Sequence, residues 1–459
     1  MRIEELIGAL ERGSYADRFR EIYVDEEYAA EQPARYAAAV RKFAAVFGGD
    51  DGSMICGASN GGGDDASGDV SVYSAPGRSE IGGNHTDHQR GEVLAAAVNR
   101  DVIAVVRPFA ESVVRIYPEG FDMVEVALDV PDCAFDAPDR ALDAPALTPS
   151  EEEQGTVRAL VKGVLAGLRD RGYQIGGFEA YTVSSVPVGA GLSSSAAYET
   201  LIGTVLSGLY NDGKVPSAEV AAVGQFAENV FFGKPCGLMD QMASSVGGMI
   251  HVDFADPAAP VVEQVPFDLR GHGYALCITN TGGSHADLTD DYAAVPAEMR
   301  RVAASFGKEV LRDVDAAAVL ADIEALRAAA GDRSVLRALH FFAENDRVRG
   351  EVAALRGDDM DAFLRLVTAS GNSSFKYLQN VYTNSDVQHQ SISLALALSE
   401  HVLGGRGACR VHGGGFAGTV QAFVPDDMVA AYRAQMDAVF GAGACSVLQV
   451  RPCGGVRVL

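Results

Sequence analysis

The chain has 459 residues, with 37 Lys and Arg against 62 Asp and Glu, giving a formal charge of −25. That length can bury a full core and predicts two domains, while the strong negative balance excludes a broad nucleic-acid or anionic-membrane footprint, so any phosphate site has to be local. The amino-terminal MRIEELIGALERGSYADRFREIY is charged and amphipathic, no stretch reaches membrane-spanning length, and seven scattered cysteines form no Cys-x-x-Cys pair, which predicts a cytoplasmic protein with reduced thiols, no zinc site and no membrane partner.

Residues 1–48 carry helical periodicity and predict a helical appendage packed on the surface, ended by the Gly/Asp/Ser tract GGDDGS to NGGGDDASGD, an expected exposed loop. From Val70 the pattern changes to short β-rich runs, VSVYSA, DVIAVVRP, SVVRIYP and MVEVALDV, which together predict a meandering sheet. EQGTVRALVKGVLAGLRDRG reads as an amphipathic helix, GFEAYTVSSV as a strand and SSSAAYETLIGTVLSGLY as a helix. The elements alternate without a regular βαβ period, so the expected class is mixed α+β. The second half opens on the strand YALCITNTGG and continues as a long helical stretch over 291–400. GACRVHGGGFAGTVQAFVP then predicts a strand after glycine-rich sequence, DMVAAYRAQMDAVFG a helix and SVLQVRP a last strand.

Four segments carry candidate chemistry. In SAPGRSEIGGNHTDHQRGEVLAAAVNRDV, Arg78, Glu80, Asn84, His85, Asp87, His88 and Gln89 crowd together around Gly82 and Gly83. A solvated loop would explain polarity, but this mixture of ions between two apolar runs points to a ligand site; His85, Asp87 and His88 also form a possible metal set. In PVGAGLSSSAA, glycines at 189 and 191 allow close backbone approach, and three serines open a helix. One serine suffices for an N-cap, whereas three after two glycines favour an anion cradle at a helix N-terminus. No Lys-Ser/Thr pair follows the glycines, so this is not a P-loop. AENVFFGKPCGLMDQMASSVGG places Glu228 on a helix and Asp240 after a Cys-Gly turn, where it also qualifies as a helix cap. VHGGGFAGTV is a loop able to press against a ligand. Its HGGG occurs in esterases too, but there it precedes a G-x-S-x-G nucleophile, and the nearest serine context, ASSVG, lies upstream and lacks the first Gly.

Taken together these segments resemble the small-molecule kinase superfamily of galactokinase, homoserine kinase, mevalonate kinase and phosphomevalonate kinase (GHMP kinases), and within it the galactokinases. The family signature GRxNxIGEHTDYNxGxVLPxA is answered by GRSEIGGNHTDHQRGEVLAAA, PxGxGLSSSA by residues 187–196, CGxMDQ by CGLMDQ, and GGGFGG by GGGFAG. The four stand in the family's order over residues 70–425, and the appendage lies outside the resemblance.

The resemblance implies a two-lobed fold, divided as 49–265 and 266–459, with the active site in the interlobe cleft. It implies transfer of the ATP γ-phosphoryl group to the anomeric hydroxyl of a sugar, with ATP and Mg²⁺ required. Carried over residue by residue, Gly189, Ala190, Gly191, Leu192, Ser193, Ser194 and Ser195 hold the nucleotide phosphates, and Ser195 and Glu228 are the Mg²⁺ ligands. Asp240 faces the sugar hydroxyl with Arg78 beside it, and Asn84, His85, Asp87, Gly237 and Tyr292 contact the sugar. Departures from the family in the first signature include Glu80 for Asn, Asn84 for Glu and His88 for Tyr, and Ser284 stands where many relatives carry Arg. Because Asp87 and His85 keep their matches, galactose is the first expectation, and Asn84, in place of a carboxylate that reads the sugar's C6 hydroxyl, makes N-acetylgalactosamine or galacturonate the runners-up. A non-catalytic sugar sensor is the other class, opposed by the intact GLSSSAA turn.

Overall fold

The computed structural model describes residues 1–48, 69–128, 147–187, 191–234, 236–257, 259–283, 288–416 and 418–459. The expected exposed loop near residue 60, Gly189, Ala190 and Ser284 lie outside these described residues.

The appendage forms helices α1 (Ile3–Glu11), α2 (Ala16–Tyr23) and α3 (Glu26–Phe47), the last capped by Asp25, whose carboxylate accepts from the Tyr28 amide at 2.8 Å. Leu6, Phe19, Ile22, Tyr36, Val40 and Phe43 are buried with Val72, Ile103, Val105 and Tyr181 of the neighbouring sheet. The appendage is therefore one of the layers that cover the sheet. A polar cluster around the buried Asp101 fastens it: Asp101 accepts from Tyr23 Oη at 2.6 Å, from Arg35 Nη1 at 2.6 Å and from Arg451 Nη1 at 3.3 Å.

The first sheet contains β1 (Ser71–Gly82), β2 (Glu92–Pro108), β3 (Val113–Pro118) and β4 (Val124–Ala127). Helix α4 (Val157–Asp170) precedes β5 (Phe178–Ser184), and α5 (Ser194–Tyr210), α6 (Ser217–Phe226) and α7 (Met239–Val246) precede β6 (Met249–Asp253) and β7 (Val261–Gln264). The meander expected from the sequence is corrected: β5 inserts between β2 and β3, antiparallel to β2 and parallel to β3. Helix α4 supplies the long connection such a parallel pairing needs, and hydrophobic patterning alone does not reveal which strand edge a later strand takes.

The second half opens with β8 (Tyr274–Asn280) and runs through α8 (Thr289–Ser305), α9 (Ala316–Ala321), α10 (Ile323–Ala330), α11 (Asp332–Arg356), α12 (Met360–Ser373) and α13 (Ser391–Leu403). The stretch around HGGGFAG is a hairpin, β9 (Ala408–His412) and β10 (Thr419–Pro425), where the sequence suggested one strand; then come α14 (Val429–Phe440) and β11 (Cys445–Leu448). These strands form a second sheet in the order β11-β8-β10-β9. The last strand, β12 (Val456–Arg457), crosses back and pairs with β1. The class is α+β, as expected, and among the described residues no helix is long and apolar enough to cross a membrane.

Candidate active site

The first part of the polar run is strand, and its remainder, from Asn84 to Gln89, is a turn leading into a short 3-10 helix. β1 continues through Arg78 and Glu80 to Gly82 with register shifts at Pro76/Arg78 and Glu80/Gly82, opposite the small residues Ala95, Ala96 and Ala97 of β2. Irregular pairing beside alanines gives Arg78 room to reach Asp240 and Glu80 room to reach Arg410. The two sheets meet here: His412 of β9 lies 3.1 Å from Ser79 Oγ, and Gln421 of β10 donates to Ser79 Oγ at 2.8 Å and to the Glu80 carbonyl at 2.9 Å.

Arg78 grips Asp240, which lies in the first turn of α7, with two parallel bonds of 2.6 Å, and its third nitrogen donates to the Gly191 carbonyl. Burial by itself would raise the Asp240 carboxyl, but the Arg78 charge and its hydrogen bonds outweigh it and hold the group below the usual carboxylate range. Asp240 therefore stands as an anion whose side chain is 25% exposed.

Ser193 is the N-cap of α5, yet its backbone is left-handed (φ 54°) and its side chain makes no cap bond. Its hydroxyl donates instead to Asp240 Oδ2 at 2.6 Å. The first-turn amides of α5 are left without a side-chain cap, so the helix N-terminus stays open to an anion. Gly191, also left-handed (φ +70°), lies so close to the second sheet that a Cβ there would come within 2.6 Å of Thr419 Oγ1. Behind this turn Ser195 Oγ donates to Glu228 Oε1 at 3.1 Å, and Gln241 Nε2 bridges Glu228 (2.8 Å) and Glu199 (3.0 Å).

Three of the residues assigned to the sugar converge on the glycine turn after β9. Asn84 Nδ2 donates to the Gly413 carbonyl at 2.6 Å, His85 Nε2 to that of Gly414 at 2.9 Å and Tyr292 Oη to that of Gly415 at 3.0 Å. Burial pushes His85 down to about 4, so its ring is neutral at pH 7. Asp87 is raised by burial and packs so closely on Gly237 that a Cβ there would fall 2.1 Å from Asp87 Oδ2. His85, Asp87 and His88 do not act as a metal set: among the described residues no group of three or more such side chains is placed to hold an ion.

Asn84 proves to be fully buried, with its amide completely engaged inside the protein. Besides Gly413, it donates to Glu80 Oε1 at 3.0 Å, and its oxygen accepts from Ser374 Oγ at 3.1 Å and Asn380 Nδ2 at 2.8 Å. Glu80 in turn pairs with the buried Arg410. Sequence reasoning missed Arg410, Asn380 and Ser374 because they lie about 300 positions from Asn84 and carry no local motif. Lys234 was missed within a segment already singled out; a lone cation between Glu228 and Asp240 in so acidic a chain is a signal that could have found it.

Two signatures of known families match the chain: the GHMP kinases N terminal domain over residues 159–248 and the galactokinase galactose-binding signature over residues 64–108. An anion-receptive helix N-terminus next to an Arg-locked carboxylate, inside those matches, places the protein among the GHMP kinases. A galactokinase of Streptomyces coelicolor is 32% identical over 393 residues, spanning 84% of this chain and 94% of that protein, and one of Actinobacillus pleuropneumoniae is 31% identical over 357 residues, spanning 77% and 85%. The chain belongs to the galactokinase family. Its fold is similar to that of Lactococcus lactis galactokinase, solved in complex with galactose (TM-score 0.71, 24% identity, 92% of this chain and 100% of that one), and to Methanococcus jannaschii mevalonate kinase (TM-score 0.55, 12% identity, 83% and 99%).

Proposed function

We propose that the protein transfers the γ-phosphoryl group of ATP to the anomeric hydroxyl of galactose, with Asp240, Arg78 and the α5 N-terminus as the working parts. The carrying observation is the doubly bonded Arg78–Asp240 pair, which also takes the Ser193 hydroxyl and thereby joins the sugar side of the cleft to the phosphate side. The C1 oxygen attacks the γ-phosphorus, the bond to the β-phosphate oxygen breaks, and ADP leaves with that electron pair. An Asp240 held below the usual range is a weak base, so it orients the hydroxyl first and takes its proton late, as the new O–P bond forms; this suits a loose transition state. Arg78, already fixed, needs no reorganisation to stabilise the transferring charge.

Ser195 and Glu228 present two hard oxygens 3.1 Å apart, one already carrying a cationic side chain, and so fit a magnesium ion, which neutralises phosphate charge when bound. Ser195→Ala and Glu228→Gln are each expected to raise the Mg²⁺ concentration for half-maximal rate; an unchanged titration in both would assign them a purely structural role.

On the sugar side, we assign Asp87, His85, Gly237 and Tyr292 to the pocket and Asn84 to its frame. Gly237→Ala, whose Cβ displaces the Asp87 carboxylate, is expected to raise KM for galactose roughly tenfold, the scale of one hydrogen bond to a charged group, with KM for ATP unchanged. Equal changes in both constants would remove Asp87 from the sugar site. The reading as a whole is tested with a panel of galactose, N-acetylgalactosamine, galacturonate and glucose plus Mg-ATP, following ADP release and locating the new phosphate by ³¹P NMR. Galactose 1-phosphate as the main product is expected; sugar binding without ADP release would leave a sensor.

A further inference from the structure

Lys234 follows the left-handed Gly233 (φ 81°) that ends the helical turn bearing Glu228. Its ammonium lies 3.0 Å from Glu228 Oε1, the same oxygen that accepts from Ser195 Oγ. Its side chain is 62% exposed, whereas the Glu228 side chain is 2% exposed. A buried carboxylate whose paired cation is a solvent-exposed lysine on a flexible four-carbon stem is a site neutralised by a displaceable group.

A divalent ion on Glu228 and Ser195 cannot share that oxygen with an ammonium, because two cations at contact distance repel strongly at a partly buried site. Among the described residues the neighbouring acids offer no alternative home. Asp240 is taken by both Arg78 nitrogens and by Ser193, and Glu199, 1% exposed, is bonded to Gln241 behind Glu228. The anion left in reach is the ligand at the start of α5, one turn of which carries Ser195.

Resting on the kinase reading above, we propose that Lys234 is a further phosphate-contacting residue: it guards Glu228 in the metal-free protein and swings onto the terminal phosphate of a metal-bound nucleoside triphosphate. It would then supply from a flexible stem the cation that a P-loop lysine supplies elsewhere. Its long, exposed side chain gives up little solvation in making the exchange.

The test uses the full chain and a non-hydrolysable ATP analogue, with ADP as the comparison, by calorimetry over a range of Mg²⁺. Lys234→Met is expected to weaken the analogue roughly tenfold in saturating Mg²⁺, to weaken ADP far less, and to lower the half-saturating Mg²⁺ concentration by removing a competing cation. Lys234→Arg should restore most of the analogue affinity. Analogue binding within twofold of wild type in Lys234→Met, or an equal loss for ADP, overturns the phosphate contact; a raised half-saturating Mg²⁺ overturns the guarding role. In metal-free protein the Lys234→Met unfolding midpoint should fall below that of wild type, because the buried Glu228 carboxylate loses its cation, and Lys234→Arg should restore it. Failure of wild type to bind either nucleotide would instead defeat the kinase reading itself.

Discussion

Asp240→Asn should lower kcat on the order of 10²-fold or more, the scale for removing a positioned acid–base group, while nucleotide affinity stays within a few-fold of wild type. The geometry gives the reason. Asparagine keeps one oxygen for Arg78 but replaces the other with a donor facing a donor, so both the orientation of the sugar hydroxyl and the proton acceptor are lost. The first-turn amides of α5 are unchanged by the substitution and the Ser193 hydroxyl can still bond the side chain at 240, hence the retained binding. Steady-state rates and ADP calorimetry on one preparation check both halves, and turnover near wild type would take Asp240 out of the chemistry. The pair also has a pH signature. Because the folded carboxyl lies below its unfolded value of about 3.9, its stabilisation is fully present above that value and disappears as pH falls through the lower folded one. An acid limb of the kcat profile at pH 5–6 would therefore belong to another group.

Asn84→Glu should destabilise the protein by about 3–5 kcal/mol, the range for an uncompensated buried charge. A carboxylate at 84 would face Glu80, now 3.0 Å from the Asn84 amide, and would lose the donor that holds the Gly413 carbonyl. Burial already raises Glu80 despite the Arg410 and Arg78 charges, and those two cations are engaged with Glu80 and Asp240, so a second acid there would share them. Exchanging the two residues together, Glu80→Asn with Asn84→Glu, keeps one carboxylate and one amide in the cluster and should recover most of the loss. Urea unfolding of the two single variants and the double variant measures this coupling directly. Additive effects, or a fully stable Asn84→Glu, would show that the two positions do not act as a pair. The exchange also reproduces the order of Asn and Glu in the family signature, so the departure at Glu80 and the one at Asn84 read as a single compensated change. The ratio of kcat/KM for galactose and galacturonate should consequently move more in the double variant than in Glu80→Asn alone.

Much of the site was legible in the chain because its parts are local. GAGLSSSA sets a close backbone turn on a helix start, CGLMDQ sets a carboxylate in a first helical turn, and both depend on residues only a few positions apart. The amphipathic helices, the α+β class and the helical appendage followed from periodicity in the same way. Tertiary structure decided what depends on distant partners. It put Arg78 on a strand by pairing it with alanines of β2, turned the Ser193 hydroxyl from cap to Asp240, and inserted β5 between β2 and β3. It made Asn84 a buried joint through Ser374, Asn380 and Gly413, and it set Lys234 on Glu228. Side-chain type specifies which bonds a residue is able to make, but burial and the approach of remote segments select among them, since a polar group removed from water must take whichever partners the fold brings within reach.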